Sequence, residues 1–118
     1  MKYLALAALL VGACAPSMHP PPAEPLSTLP PAVRLDVTDT EQELKRLAAE
    51  LDVLSVEAAP SGCARVTVLR DNICTLAERI CRLAEQYPGE LTLPPRCKDA
   101  RHRCGRAADA VKHRGCGP

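Results

Sequence analysis

Two pairs of cysteines with one shared spacing constrain this chain more than any other feature. Cys74 and Cys81 are seven residues apart, and so are Cys97 and Cys104. Seven residues is close to two turns of α-helix, so each pair lines up on one helix face. Between the pairs lie Pro88-Gly89 and Pro94-Pro95, which stop one helix and let the chain turn back before the next. In an antiparallel hairpin, Cys81 then faces Cys97 and Cys74 faces Cys104 with no register error. Cys63 lies eleven residues before Cys74, about three turns, and Cys116 lies twelve after Cys104. A third rung, Cys63 to Cys116, nests outside the other two. Six cysteines admit fifteen pairings. The equal spacing selects the two inner rungs and determines the outer one less tightly.

Hydrophobic periodicity supplies helices to carry these rungs. A first helix is predicted to start near Thr38 or Thr40, where a Thr cap is followed by Glu41 and Glu43. Its stripe is Leu44, Leu47, Leu51, Leu54 and Ala58, spaced by threes and fours, and Pro60 and Gly62 end it. A second helix runs from Cys63 or Ala64 to Tyr87, with Ser61 as a candidate cap. Its stripe is Leu69, Ile73, Leu76, Ile80, Leu83 and Tyr87. The β-branched stretch Val66-Thr67-Val68 leaves Asp71-Asn72 as an alternative start. A third helix runs from Pro94 or Pro95 to Arg114, with Gly115 as its stop. Its inner face is Cys97, Ala100, Cys104, Ala107, Ala108 and Val111, small residues that allow a close neighbour. Gly105 is read as part of that close approach.

Composition agrees with thin helices. There is no Trp or Phe, and the two tyrosines are Tyr3 and Tyr87. The core must be built from Leu, Ile, Val, Ala and Cys, which argues against an aromatic-rich sandwich. About eighty residues remain once the two N-terminal segments described below are set aside, and a core that small often needs staples. The formal net charge is +1, which gives no global drive toward nucleic acid. The charges are segregated, however. Between Asp39 and Glu57 lie six acids against Lys45 and Arg46; between Arg96 and Arg114 lie seven bases against Asp99 and Asp109. One reading makes these two faces complement each other within a bundle. The other makes the basic strip a surface for anionic lipid headgroups or cell-wall polymers.

The N-terminus has a different character. Lys2 precedes an apolar run from Leu4 to Ala13, the plan of a secretory signal. A membrane span needs about twenty apolar residues, and this run has half that. The run ends in Val11-Gly12-Ala13-Cys14, which resembles the bacterial lipobox at all four positions. That resemblance implies cleavage before Cys14 and acylation of its thiol with chains such as palmitate. It also implies an oxidising envelope compartment. Ala15, where an Asp would favour retention at the inner membrane, points to the outer membrane of a Gram-negative cell. Lipidation of Cys14 also explains why the cysteine count is odd, since an even set in a short exported domain reads as a disulfide framework. From Ala15 to Pro31 the chain holds seven of its twelve prolines, a composition suited to an extended spacer of about 50 Å.

The cysteine plan resembles the twin C-x9-C helical hairpins of the mitochondrial intermembrane space. The spacing here is C-x6-C, so the likeness carries geometry and not membership. The block from Asp71-Asn72-Ile73-Cys74 through Arg79-Ile80-Cys81 to Pro88-Gly89 resembles small cysteine-containing lipoproteins of deltaproteobacterial type, a likeness that implies no activity.

Sharper chemistry finds little to stand on. A metal site from Cys97, His102, Cys104, His113 and Cys116 lacks the tight ligand pairs that zinc favours. Rows of thiols could hold Cu(I), but only if reduced. No C-x-x-C, haem motif or phosphate loop occurs. The serines Ser17, Ser27, Ser55 and Ser61 sit in no recognisable motif, and Glu78 and Glu85 are expected to pair with Arg82 at helical spacing. His19 stands alone in the Pro-rich segment.

The sequence therefore predicts an all-α chain: a signal at residues 1–13, a lipid-anchored Pro-rich tether at 14–35, and a helical Cys-rich domain at 36–118. That domain is a disulfide-stapled helical hairpin plus one amphipathic helix. The expected role is noncatalytic, structural or partner-binding, with no cofactor, no metal and no nucleic acid. The expected partners are the membrane, through the N-terminal lipid, and an envelope protein or cell-wall polymer. The alternative is an envelope protein for Cu(I), zinc or thiol redox chemistry.

Overall fold

The computed structural model describes residues 28–56 and 62–116. They form three helices: α1 (Pro31–Val56), α2 (Cys63–Gln86) and α3 (Leu93–His113). The fold is all-α, and among the described residues there is no strand. Ion pairs fix the helix directions. Asp36 and Glu50 of α1 meet Arg79 and Arg65 of α2, so these two helices are antiparallel. The disulfides make α2 and α3 antiparallel as well, and α1 therefore runs parallel to α3.

α1 begins more than two turns before the position its Thr cap suggested. Pro31 can open a helix because its φ is already set and its missing N–H has no partner in the first turn. The Pro30 carbonyl accepts hydrogen bonds from the Val33 and Arg34 amides, both at 3.0 Å. The inward row then runs Val37, Thr40, Leu44, Leu47 and Leu51, alternating threes and fours, and all five are buried. Val37 extends this row to the N-terminal side of Thr40. The helix therefore starts inside the segment read as tether, and Leu29, also buried, moves the domain boundary earlier than residue 36. Ala58, Pro60 and Ser61 lie outside the described residues.

In α2 the buried residues are Val66, Leu69, Ile73, Ala77, Ile80 and Cys81, with Leu76, Leu83 and Tyr87 half-buried. The β-branched Val66-Thr67-Val68 is helical, so Asp71-Asn72 is not a start. Burial of Val66 against α1 and the crosslink at Cys63 hold the first turns despite their weak propensity. In α3 the inward residues are Leu93, Ala100, Ala107 and Val111. Ala108 is exposed and Ala110 takes an inner position instead. A Cβ placed on Gly105 meets nothing within 4 Å. Gly105 faces outward and plays no part in helix approach.

Leu44, Leu47, Leu51, Leu69, Ile73 and Ile80 join the α3 alanines in one core between the three helices. A second, smaller cluster of Leu29, Val37 and Leu93 closes the end where α1 begins and the α2–α3 turn lies. The far end is closed by the chain reversal after α3. Gly115 has φ +68°, its amide bonds the Lys112 carbonyl at 3.0 Å, and the Cys116 amide bonds the Val111 carbonyl at 3.1 Å. These are the paired bonds of a Schellman stop, and they turn Cys116 back onto the bundle.

Candidate functional site

The seam between α2 and α3 carries all the cysteines of the domain. The structure joins Cys81 to Cys97, Cys74 to Cys104 and Cys63 to Cys116. Their Cα separations are 4.6, 4.7 and 5.1 Å, within the window a disulfide can span. The residues that carry the rungs are those the spacing selected. The outer pair is brought together by two features at opposite ends of the sequence: Cys63 opens α2, and the Gly115 reversal delivers Cys116.

Above the inner rungs runs a shallow furrow on the side of the hairpin that α1 does not cover. Two adjoining hollows of about 420 and 410 Å³ share Cys81, Glu85 and Arg101, and no α1 residue lines either. Cysteines and Ala77 or Ala84 form the floor. Glu78, Arg82 and Glu85 rise from α2, and Lys98 and Arg101 from α3. The expected pairing of Glu78 and Glu85 with Arg82 is not found; among the described residues no ion pair joins them. All three are exposed, and water solvates them at no cost in side-chain order.

The segregated charges are arranged differently from the simplest expectation. The acids of α1 pair chiefly with α2, through Asp36–Arg79 at 2.6 Å and Glu50–Arg65. One ion pair, Glu41–Arg96, joins α1 to α3, and the Arg114 guanidinium donates to the Leu54 carbonyl. Arg103 pairs with Asp99 on its own helix. Within α1, Arg46 hydrogen-bonds Glu43 and holds its carboxyl below the usual carboxylate range. Lys98, Arg101, Arg106 and Lys112 are exposed, and among the described residues none of them makes an ion pair.

A buried carboxylate that the sequence reading passed over sits at the other end. Glu90 is only 4% exposed. It accepts hydrogen bonds from the Thr28 amide at 3.2 Å, from the Thr28 hydroxyl and from the Thr92 hydroxyl at 2.7 Å. This clasp ties the start of the described chain to the α2–α3 turn. A signal was present: an acid placed directly after Pro88-Gly89, with Thr92 two residues on.

The residues considered for metal are engaged or apart. Cys97, Cys104 and Cys116 are in disulfides, while His102 and His113 are exposed on α3. Among the described residues no three His, Cys, Asp or Glu side chains cluster as a metal site would require. Among them, too, no helix is long and apolar enough to cross a membrane. Cys14, His19, Ser17, Ser27 and Ser61 lie outside the described residues, and so does the side chain of Ser55. No family model, no curated protein and no solved structure matches the chain.

Proposed function

We propose that this chain is a noncatalytic lipoprotein of the cell envelope, acylated at Cys14 and held at the outer membrane. Its three-helix domain has a structural or partner-binding role. One observation supports the reading above the rest. The six domain cysteines pair completely among themselves, so Cys14, preceded by Val11-Gly12-Ala13, is left over as the one cysteine for lipid. A fully oxidised ladder also suits an exported protein. The alternative, metal or thiol chemistry, needs thiolates, and the ladder occupies all six of these sulfurs.

The role of the domain follows from its rigidity. Three crosslinks on a small helical core give a surface that changes shape little on binding, which lowers the ordering cost of association. The test is expression of the full chain in a Gram-negative host. Fractionation of the membranes and mass spectrometry of the N-terminal peptide should find Cys14 diacylated or triacylated in the outer membrane, and Cys14→Ser should abolish both the acylation and the cut before residue 14. An unmodified Cys14, or a Cys14→Ser protein still acylated at its N-terminus, would refute the reading.

A further inference from the structure

The outward side of α3 carries a row that the bundle does not use. Lys98, Arg101, Gly105, Ala108 and Lys112 follow one another at spacings of three and four, so they lie on one line along the helix. All five are exposed. The line spans about 21 Å at about 1.5 Å per residue. The row itself holds three cations and no acid; Glu85 of α2 shares a hollow with Lys98 and Arg101, and exposed Asp109 flanks the Lys112 end. Between the cations stand the two smallest side chains of the helix, so nothing projects past the ammonium and guanidinium groups to hold a flat surface away. Of the acids of α1, Asp36 and Glu50 pair with α2 and Glu41 with Arg96, and no α1 residue lines the hollows beside Lys98 and Arg101.

We propose that this face of α3 docks on the anionic headgroups of a phospholipid surface, as a second contact beside the N-terminal lipid. Cations strung along a line of about 21 Å beside a furrow that is only shallow fit a plane of phosphates better than a single anion. Reach is sufficient. Thirteen residues separate Cys14 from Thr28, at most about 45 Å of chain, while α3 with 21 residues is about 32 Å long. The bundle can therefore lie along the bilayer that anchors it. A lipid anchor combined with a basic patch is a firmer attachment than either alone. The choice of partner rests on the envelope-lipoprotein reading; the charge geometry does not.

The test uses the full chain carrying Cys14→Ser, so that no acyl group contributes, and measures its partition onto vesicles. Binding to phosphatidylcholine vesicles containing phosphatidylglycerol should exceed binding to phosphatidylcholine alone and fall as salt rises. Each base near the surface contributes about fivefold, so K98E/R101E should weaken the anionic component at least about tenfold. The milder K98A/K112A should also weaken it by at least about tenfold, and covers the case in which charge reversal disturbs folding. R34E/K45E on α1 changes the net charge equally at exposed sites and should leave binding within about twofold of the unreversed chain. Equal loss in the α1 and α3 variants would show a response to net charge alone and overturn the proposal. Failure to bind the anionic vesicles, with retention by isolated peptidoglycan, would overturn it in favour of a cell-wall partner. None of these results depends on whether Cys14 is acylated in the cell, so the two readings can fail separately.

Discussion

Replacing both ends of the outer rung, Cys63→Ser with Cys116→Ser, probes the ladder as a nested set of loops. The outer rung joins residues 53 apart, but the middle rung has already closed a loop of 30. About 23 residues are left for the outer rung to restrain, which the chain-entropy argument values at about 3.4 kcal/mol. As the sole crosslink, closing all 53 residues, the same rung would contribute about 4.2 kcal/mol. In a domain of this size a loss of 3.4 kcal/mol lowers the melting temperature by roughly 15–25 °C. The assay is guanidinium unfolding followed by helical circular dichroism. It compares the fully crosslinked protein, the outer-rung double Ser variant, and a pair of variants lacking the two inner rungs with and without the outer one. The slope of free energy on denaturant should rise when a crosslink is removed, because the unfolded chain then exposes more surface. A loss under about 1 kcal/mol, or one no smaller with the inner rungs present than with them absent, would refute the nested-loop reasoning.

The same arithmetic gives all three rungs together about 9 kcal/mol, comparable with the whole stability of a small domain. The fully reduced, alkylated protein should therefore lose its cooperative transition, and retention of a sharp melt would count against the ladder as the main staple. Ile73, fully buried between the helices, should cost about 3–4 kcal/mol when changed to Ala, read as a shift in the denaturation midpoint. Glu90→Ala removes the acceptor of three hydrogen bonds and should cost about 2 kcal/mol. Hydrogen exchange at the Thr28 amide should become fast in the same variant. The glycines should separate in sign: Gly105→Ala, with open space for its Cβ, should stabilise by about 0.5–1 kcal/mol. Gly115→Ala, at φ +68°, should destabilise by about 1 kcal/mol; thermal melts of the two variants check both.

The ladder could be read from the sequence because covalent geometry leaves it little freedom. A seven-residue spacing repeated on both arms, with prolines between, admits one register that closes both inner rungs. The start of α1 was harder to read. Val33 and Val37 sit in a proline-dense stretch whose composition suggests a spacer. Only the burial of Leu29 and Val37 against Leu93, more than fifty residues distant in sequence, shows that the helix begins at Pro31. Ala108 and Gly105 look inward in the sequence because small residues beside cysteines resemble a packing face. Helical phase puts them about a quarter-turn or more outside the core line of Ala100, Ala107 and Val111. The ion pairs are hardest of all to read, since opposite charge segregation says that two helices attract without saying that a third, α2, supplies arginines for two of the α1 acids. Glu90 carries little signal in the sequence because a carboxylate in a turn is ordinarily solvated, and its burial depends on Thr28, sixty-two residues away.

The Thr28–Glu90 clasp also decides how the domain bears load. Tension arriving along the N-terminal segment acts first on this clasp and then on the first turn of α1, whose contacts are apolar packing and surface ion pairs. α1 can be peeled away residue by residue. The peeling stops at Cys63, where the covalent ladder begins. The chain between Thr28 and Cys63 can lengthen to at most about 120 Å. Beyond that point, further extension is resisted by sulfur–sulfur bonds. The domain thus behaves as a short extensible strap in series with an inextensible clip, and when the pull relaxes α1 folds back onto a hairpin that never opened.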